Sequence, residues 1–120
     1  MHELSVCQAL LAQVAEIAAR RGASRVVRIA IEVGPLSGVE PDLLARAFEI
    51  VRCGSCAAQA ALSIETSTVL VCCLACGMES PVAPNQLLCA GCGGYRTRVI
   101  RGEELRLRRV ELQMTETTPN

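Results

Sequence analysis

Two pairs of cysteines in the C-terminal half of the chain have the spacing of metal ligands. Two residues separate Cys73 from Cys76 and Cys89 from Cys92, and twelve residues lie between the pairs. This spacing lets one tight turn direct both sulfurs of a pair at the same ion, and two such turns complete a tetrahedron. The glycine after each pair suits the positive φ that such a turn requires. The sequence therefore predicts a shared four-thiolate metal site.

The two turns look like the knuckles of a zinc ribbon, although other cysteines compete for the same role. Cys72 could replace Cys73 through a shifted turn, but only Cys73 keeps the two-residue spacing to its partner. Cys53 and Cys56 form a third pair, and the sixteen residues between Cys56 and Cys73 are also a permissible zinc spacing. We prefer the two later pairs, because Cys56 is followed by alanine and lies directly after a predicted helix. The third pair is most simply two small residues at a helix end; the alternatives are a local disulfide and a transient metal relay.

The single histidine of the chain, His2, follows the first residue. A free α-amine on Met1, the backbone amide nitrogen of His2 and its imidazole form fused chelate rings around one ion, and Glu3 can add an amide nitrogen or a carboxylate. Nitrogen donors in a plane suit Ni(II), whereas zinc prefers soft tetrahedral thiolates. Taken alone, a histidine at this position is more simply a solvated terminus. It becomes a nickel-site hypothesis only in combination with further motifs.

The composition limits the classes of function. The chain has 120 residues, of which 51% are hydrophobic, and a formal net charge of zero. This length predicts one domain, or a small domain with a smaller one inserted. The twelve basic residues, all arginine, are balanced by twelve acidic ones. Such a balance argues against nucleic acid as the main partner.

The chain also lacks the sequence signals of export and membrane insertion. Its first residues have neither a basic n-region nor an apolar h-region, and no apolar run approaches the roughly 18 residues that a membrane span needs. We therefore expect a cytoplasmic protein without a membrane partner. In such a chain, eight cysteines argue for metal or redox chemistry rather than a disulfide framework.

The first predicted element is an amphipathic helix over residues 4–21. Ser5 and Gln8 have the spacing of a capping box, although the helix could also begin a turn earlier, and Gly22 suits the helix end. We expect Cys7 to be a buried hydrophobe rather than a ligand. The apolar stripe with helical spacing consists of Leu4, Cys7, Leu11, Val14 and Ala18, widened by Leu10 and Ile17.

Alternating apolar residues then predict a half-buried strand, followed by the turn residues 34–38 and a second helix. The strand would bury Val27, Ile29, Ile31 and Val33. The second helix would begin at Pro41, end near Arg52, and bury one face made of Leu44, Ala47, Phe48 and Val51.

Two more strands are predicted in the main sheet, one on each side of the cysteine-rich segment. The first covers residues 62–66, with Leu62 and Ile64 facing inward, and the second covers residues 104–112. The alternation of the second strand changes phase at Arg108 and Arg109, as a β-bulge would require. The arginines of this strand are most simply the solvated face of an edge strand, and the alternative is a docking surface for an acidic partner.

Five short motifs follow one another along the chain: Met1-His2-Glu3-Leu4-Ser5, Val33-Gly34-Pro35-Leu36-Ser37-Gly38-Val39, Ala47-Phe48-Glu49-Ile50-Val51, the paired cysteine turns, and Gly102-Glu103-Glu104-Leu105. In this order they resemble the HypA/HybF family of nickel metallochaperones for NiFe hydrogenase maturation. Each motif alone is modest, but the resemblance extends from residue 1 to about residue 112.

The resemblance implies an α+β fold with two helices on a small three-stranded sheet. Residues 1–68 and 101–114 would form a nickel-binding α/β domain, and residues 69–100 an inserted zinc-ribbon domain. We expect residues 115–120 to be a frayed tail.

The resemblance also implies two metal sites. A structural zinc ion would be held by Cys73, Cys76, Cys89 and Cys92, and nickel would be bound as cargo by Met1, His2 and Glu3. An acidic residue of the family corresponds to Glu40. The family often has aspartate there, so the longer side chain leaves direct contact open, and Glu40 is equally well explained as an acidic residue that stabilises the start of a helix.

The implied function is a carrier rather than an enzyme. The family works with a HypB-like nickel GTPase and delivers nickel to the NiFe hydrogenase large-subunit precursor, and in some bacteria it also serves urease accessory proteins. We expect a monomer or a weak homodimer. The alternatives from other classes are a zinc ribbon that binds nucleic acid or protein, and a dithiol oxidoreductase that uses Cys53 and Cys56. The first lacks a basic face and stacking aromatics, and the second lacks a thioredoxin-like pattern.

Overall fold

A computed structural model describes residues 2–114 of the chain. It contains two helices and six strands in this part: α1 (His2–Arg20), β1 (Ala23–Val33), α2 (Pro41–Val51), β2 (Ala61–Thr66), β3 (Val69–Cys73), β4 (Glu79–Val82), β5 (Thr97–Arg101) and β6 (Leu105–Met114). The strands form two sheets, with orders β2-β1-β6 and β4-β3-β5. The predicted fold class is confirmed, because two helices accompany a three-stranded sheet and the second sheet is inserted between β2 and β6. No helix in the described part is long and apolar enough to cross a membrane.

The described residues divide into two compact units. The first contains residues 2–31, 40–64 and 107–114, and the second contains residues 32–39 and 65–106. The first unit thus holds both helices, and the second holds the cysteine-rich sheet. The boundaries predicted for the inserted domain, residues 69–100, stay a prediction.

Helix α1 begins at His2, one turn earlier than the capping-box pattern predicts. Ser5 therefore lies inside the helix, and the earlier boundary is the alternative that the sequence leaves open. Leu4 was expected on the buried stripe but is 42% exposed, while Glu3 is buried. The Glu3 carboxylate accepts a hydrogen bond from the Glu40 backbone N–H, which compensates its burial. Of the other stripe residues, Ile17 is half-buried, and the remainder are buried as predicted: Cys7, Leu10, Leu11, Val14 and Ala18.

Strand β1 keeps the predicted alternation only over its second half. Ile29, Ile31 and Val33 are buried as expected, but Val27 is 40% exposed and Val26 is buried in its place. The step from Val26 to Ile29 is three residues, so the phase of the strand slips once. At this slip the strand is bonded to the turns that follow α2: the Val26 N–H donates to the Cys56 carbonyl oxygen at 2.9 Å.

Helix α2 begins at Pro41 as predicted. Proline fits a first helical position, where its missing N–H would have no acceptor in any case. Leu44, Ala47 and Phe48 are buried, and the Arg52 guanidinium lies 5.4 Å from the centroid of the Phe48 ring. Side chains of α1, α2, β1 and β2 enclose a cavity of only about 10 Å³, so the helices and these strands share one closely packed core.

The edge strand β6 shows the predicted change of phase. Leu105 and Leu107 are half-buried, and so are Val110 and Leu112, which come one residue later than strict alternation would place them. In the second unit, Arg106 donates two hydrogen bonds to Glu32, at 3.1 and 2.9 Å. The burial pattern agrees with a slip at Arg108 and Arg109, and the bulge itself remains a prediction.

The second sheet places β3 in the centre, with β4 and β5 antiparallel on either side. Val69, Val71 and Cys73 of β3 are buried and alternate with half-buried residues. Because this strand ends at Cys73, the sheet leads directly into the first cysteine turn.

A close approach of two glycines joins the start of the turn after β1 to the segment before β6. The Gly34 N–H donates to the Glu104 carbonyl oxygen at 2.7 Å, and the Leu36 N–H donates to the Gly102 carbonyl oxygen at 2.7 Å. A Cβ atom at position 34 would lie 2.2 Å from the Gly102 oxygen. Only glycine fits at position 34, because any side chain would collide with rigid backbone.

Candidate metal centre

The four predicted cysteines bring their sulfurs together in the second unit. The ligand atoms of Cys73, Cys76, Cys89 and Cys92 all lie within 4.8 Å of one another. The distance from the Cys73 Sγ to the Cys92 Sγ is 3.6 Å, and the distance from the Cys76 Sγ to the Cys89 Sγ is also 3.6 Å. A tetrahedral zinc ion with sulfurs at about 2.3 Å requires sulfur–sulfur distances of about 3.8 Å. The cluster therefore fits a tetrahedral ion.

The first cysteine turn is held by three backbone contacts. The Cys73 N–H donates to the Met78 carbonyl oxygen at 2.9 Å, and the Gly77 N–H donates to the Cys73 carbonyl oxygen at 2.8 Å. The Cys76 N–H points at the Cys73 sulfur, at 3.4 Å. These contacts direct both sulfurs of the pair to the same side of the turn.

The second turn repeats the first, contact for contact. The Cys89 N–H donates to the Gly94 carbonyl oxygen at 2.9 Å, the Gly93 N–H to the Cys89 carbonyl oxygen at 2.9 Å, and the Cys92 N–H to the Cys89 sulfur at 3.4 Å. The glycine after each pair has a positive φ, +77° at Gly77 and +72° at Gly93. The predicted backbone role of both glycines is therefore confirmed.

The first sulfur of each pair ionises more easily than an ordinary thiol. The N–H groups of Cys76 and Ala75 stabilise the Cys73 thiolate and lower its pKa to about 6. The pKa of Cys89 is also lowered, chiefly by the Cys92 N–H. Both effects follow from hydrogen bonds that favour the charged form.

The second sulfur of each pair keeps its proton more firmly. A hydrogen bond from the Met78 N–H lowers the pKa of Cys76, but the neighbouring sulfurs of Cys89 and Cys73 outweigh it and raise the pKa to about 12. The pKa of Cys92 is raised in the same way: a backbone N–H lowers it, and two neighbouring sulfurs raise it by more. Four thiolates at this distance need a cation among them, so metal binding must displace the remaining protons.

The other cysteines lie outside this cluster. Cys72 is on the same strand as Cys73, and its sulfur lies 3.9 Å from the Gly77 carbonyl oxygen. Cys7 is 2% exposed, as expected for a buried hydrophobe, and burial raises the pKa of its thiol. Within residues 2–114, no fifth histidine, cysteine or carboxylate side chain joins the four sulfurs.

The third cysteine pair lies in the turns after α2, as the sequence predicts. Cys53 is exposed and Cys56 is half-buried, and the Cys53 thiol lies 3.6 Å from the Glu49 carbonyl oxygen. This is the environment of a helix end.

Three of the residues proposed for nickel meet at the start of α1. His2 lies in the first turn with 56% of its side chain exposed, and its Nε2 atom is 3.9 Å from Glu3 Oε2. The same carboxylate oxygen accepts a hydrogen bond from the Glu40 N–H at 3.2 Å. The Glu3 carboxylate thus lies between the imidazole and the start of α2. Met1 lies outside the described residues.

The electrostatics of this group favour an ionised Glu3. The Glu40 N–H and the Glu3 backbone N–H stabilise the carboxylate and lower its pKa. Glu40 is the N-cap residue of α2, but its side chain makes no capping hydrogen bond, and it is exposed. The N–H groups of the first turn of a helix have no acceptor within that helix, so the helix does not occupy the amides of His2 and Glu3.

The structure adds a role for Glu3 that the sequence reading missed. The sequence suggests only a metal-ligand role for Glu3, whereas its carboxylate also links the start of α1 to the start of α2. Its position four residues before Cys7 places it on the buried face of the helix, and this spacing was the available signal.

The fold and the site define a class of protein: a small α+β protein with a closed cluster of four cysteines. Comparison with known proteins specifies the class further. A family model described as "Hydrogenase/urease nickel incorporation, metallochaperone, hypA" matches residues 1–112. The hydrogenase maturation factor HypA of Nitrosospira multiformis is 45% identical over 115 residues, which cover 96% of this chain and 100% of that protein.

Two further comparisons, at lower sequence identity, also match HypA proteins. The HypA of Aquifex aeolicus is 37% identical over 114 residues, covering 95% of this chain and 99% of that protein. The solution structure of the Ni metallochaperone HypA from Helicobacter pylori superposes with a TM-score of 0.70 at 29% identity, covering 96% of this chain and 100% of that one. The chain therefore belongs to the HypA family of nickel metallochaperones for hydrogenase and urease maturation. It is a maturation factor and not an enzyme.

Proposed function

We propose that this protein binds Ni(II) at its N-terminus through Met1, His2 and Glu3, and releases it to a maturing enzyme. The observation that carries the proposal is the convergence of the exposed His2 imidazole, the Glu3 carboxylate and the Glu40 backbone at the start of α1. The amine, the amides and the imidazole provide a set of nitrogen donors that suits Ni(II). Glu40 contributes through its backbone N–H, which orients Glu3, and its exposed carboxylate is a candidate outer ligand.

The four-cysteine cluster is proposed as a structural zinc site held by Cys73, Cys76, Cys89 and Cys92. Four cysteines close a tetrahedral site and leave no open position for a cargo ion. A divalent cation there supplies the positive charge that neutralises the thiolates. The sulfur–sulfur distances of 3.6 Å and the repeated turns support this assignment.

The proposed delivery route starts at the exposed N-terminal site. A HypB-like nickel GTPase and the NiFe hydrogenase large-subunit precursor are the proposed partners, with urease accessory proteins as a second destination, in the cytoplasm. Support comes from the family, whose description names hydrogenase and urease nickel incorporation. A terminal site suits a carrier, because a partner can displace its donors one at a time.

Native mass spectrometry of the zinc-loaded chain tests both metal assignments. We expect one zinc ion that resists mild chelation and one nickel ion that does not. His2→Ala, or extra residues placed ahead of Met1, should abolish nickel binding and leave zinc in place. The double variant Cys53→Ser, Cys56→Ser is the matched control and should keep both ions. Nickel binding that survived both N-terminal changes would refute the proposed site.

A further inference from the structure

A polar cleft lies in the second unit, and none of the clustered cysteines lines it. It has a volume of about 380 Å³. Its walls come from the ends of β1, β2 and β5, from the linker before β3, and from the β3 and β4 strands; they consist of Glu32, Thr66, Ser67, Thr68, Leu70, Pro81 and Arg101. A volume of this size accommodates a small organic molecule or one side chain of a partner.

Among the described residues, one cationic side chain in the cleft has no carboxylate to balance its charge. Glu32 is neutralised, because Arg106 donates hydrogen bonds to its Oε1 at 3.1 and 2.9 Å. Arg101 is exposed, and among residues 2–114 it has no carboxylate within ion-pair distance. The cleft therefore offers one unpaired guanidinium, a group that binds planar oxyanions through two parallel N–H groups.

The remaining lining is divided between hydroxyl groups and aliphatic surface. Leu70 pairs with Pro81 on one side and with Arg101 on the other, so an apolar wall adjoins the guanidinium. Ser67 carries a hydroxyl oxygen that is buried and has no hydrogen-bond partner in the described part of the chain. Buried hydroxyl groups are nearly always paired, and an unpaired one costs stability. A turn about χ1 to another staggered rotamer re-aims this hydroxyl without moving the backbone.

We propose that this cleft binds a carboxylate carried on a short aliphatic chain. Arg101 holds the carboxylate, Ser67 donates a hydrogen bond to it, and the aliphatic part packs on Leu70 and Pro81. A single unpaired cation balances one negative charge, whereas the second charge of a phosphate dianion would remain uncompensated. This site is independent of the nickel and zinc sites.

Butyrate is the probe, because it combines a carboxylate with a short aliphatic chain. The zinc-loaded full chain is titrated at constant ionic strength while the backbone amide resonances of Ser67, Thr68 and Arg101 are followed by NMR. We expect saturable shifts at these amides with butyrate, and none with butyramide, which has the same shape without the charge. Saturable shifts with inorganic phosphate but not butyrate would overturn the proposal, and so would no response to either anion.

Variants then test the assigned contacts. Arg101→Gln should weaken butyrate binding by about tenfold or more, because a charge-assisted hydrogen bond is lost. Arg98→Gln is the matched control on the same strand and should change the affinity by less than about twofold, since an exposed charge outside the cleft contributes little. Equal effects of the two variants, or binding unaffected by Arg101→Gln, would refute the assignment. Zinc stoichiometry checks that each variant is folded.

Ser67→Ala separates a binding role from a structural one. The variant should bind butyrate several-fold more weakly, because one hydrogen bond to the charged ligand is lost. In the absence of ligand, its unfolding midpoint should not fall, since the removed hydroxyl is unpaired. A variant that is destabilised but binds butyrate normally would show that Ser67 acts only in folding, and would overturn its part in the site.

Discussion

Replacing Leu44 by alanine should destabilise the first unit strongly, whereas the same change at the adjacent Leu43 should not. Leu44 is fully buried at 0% exposure, and Leu43 is 46% exposed on the same helix. The core around Leu44 has a cavity of only about 10 Å³, so there is little free space for neighbours to move into. The lost side chain would therefore leave a new void.

The magnitude follows from the atoms removed. Leucine to alanine deletes three carbons, and each buried carbon is worth about 0.8 kcal/mol of transfer free energy, or about 2.4 kcal/mol in total. A residual void of roughly 50 Å³ adds about 1.2 kcal/mol at about 24 cal/mol per Å³. We expect Leu44→Ala to lower the free energy of unfolding by about 3–4 kcal/mol, within the range known for such changes, and Leu43→Ala to lower it by less than about 1 kcal/mol.

Urea unfolding followed by far-UV circular dichroism measures both free energies. The chain contains no tryptophan, so the helical signal is the better probe. Zinc content should be the same in both variants, because Leu44 and the four clustered cysteines belong to different units. A loss below about 1 kcal/mol for Leu44→Ala, or equal losses for the two leucines, would refute the described packing of α2.

Three other changes test separate parts of the molecule. Gly34→Ala should destabilise the protein by more than about 2 kcal/mol, because the new Cβ would lie 2.2 Å from a backbone oxygen; a urea midpoint equal to that of the wild type would contradict this contact. Cys73→Ser should lose zinc and unfold the cysteine-rich sheet while Cys72→Ser keeps both, as followed by native mass spectrometry and amide NMR; retention of zinc by the first variant would reassign the ligand. Glu3 has a lowered pKa in the folded state, so its stabilising effect is present above the ordinary glutamate pKa of 4.5 and is lost as the pH falls through the folded-state pKa. Glu3→Gln should therefore flatten the dependence of unfolding free energy on pH in the acidic range, and parallel curves for the two proteins would argue against the Glu3–Glu40 link.

Local chemistry was sufficient to predict several features from the sequence. The start of α2 follows from Pro41, which fixes its own φ and lacks an N–H. The choice of Cys73 over Cys72 followed from the two-residue spacing, and the clustering of the sulfurs agrees with it. The positive φ at Gly77 was expected because a cysteine turn of this kind requires it. Each of these features depends on a few neighbouring residues.

Other features could not be predicted, because they depend on residues distant in the chain. Val26 is buried and Val27 is exposed, the reverse of the prediction. Which of the two faces the core depends on the segment that β1 pairs with, because a slip of one residue exchanges the buried and exposed faces of a strand. The burial of Glu3 depends on the Glu40 N–H, 37 residues away. Gly34 has an ordinary sequence context, and its contact with Gly102 becomes visible only when both segments are folded.

Helix α1 begins at His2, so the proposed cargo ion would lie at the positive end of a helix dipole. That end carries roughly half a positive charge and disfavours a cation by about 0.3–1 kcal/mol at an exposed site. The acidic side chain of Glu3, which lies 3.9 Å from the imidazole of His2, would offset this repulsion, and a partner that drew it away would expose nickel to the full field of the helix. The strength of nickel binding at such a terminus would then be set from outside, by a partner that moves one carboxylate.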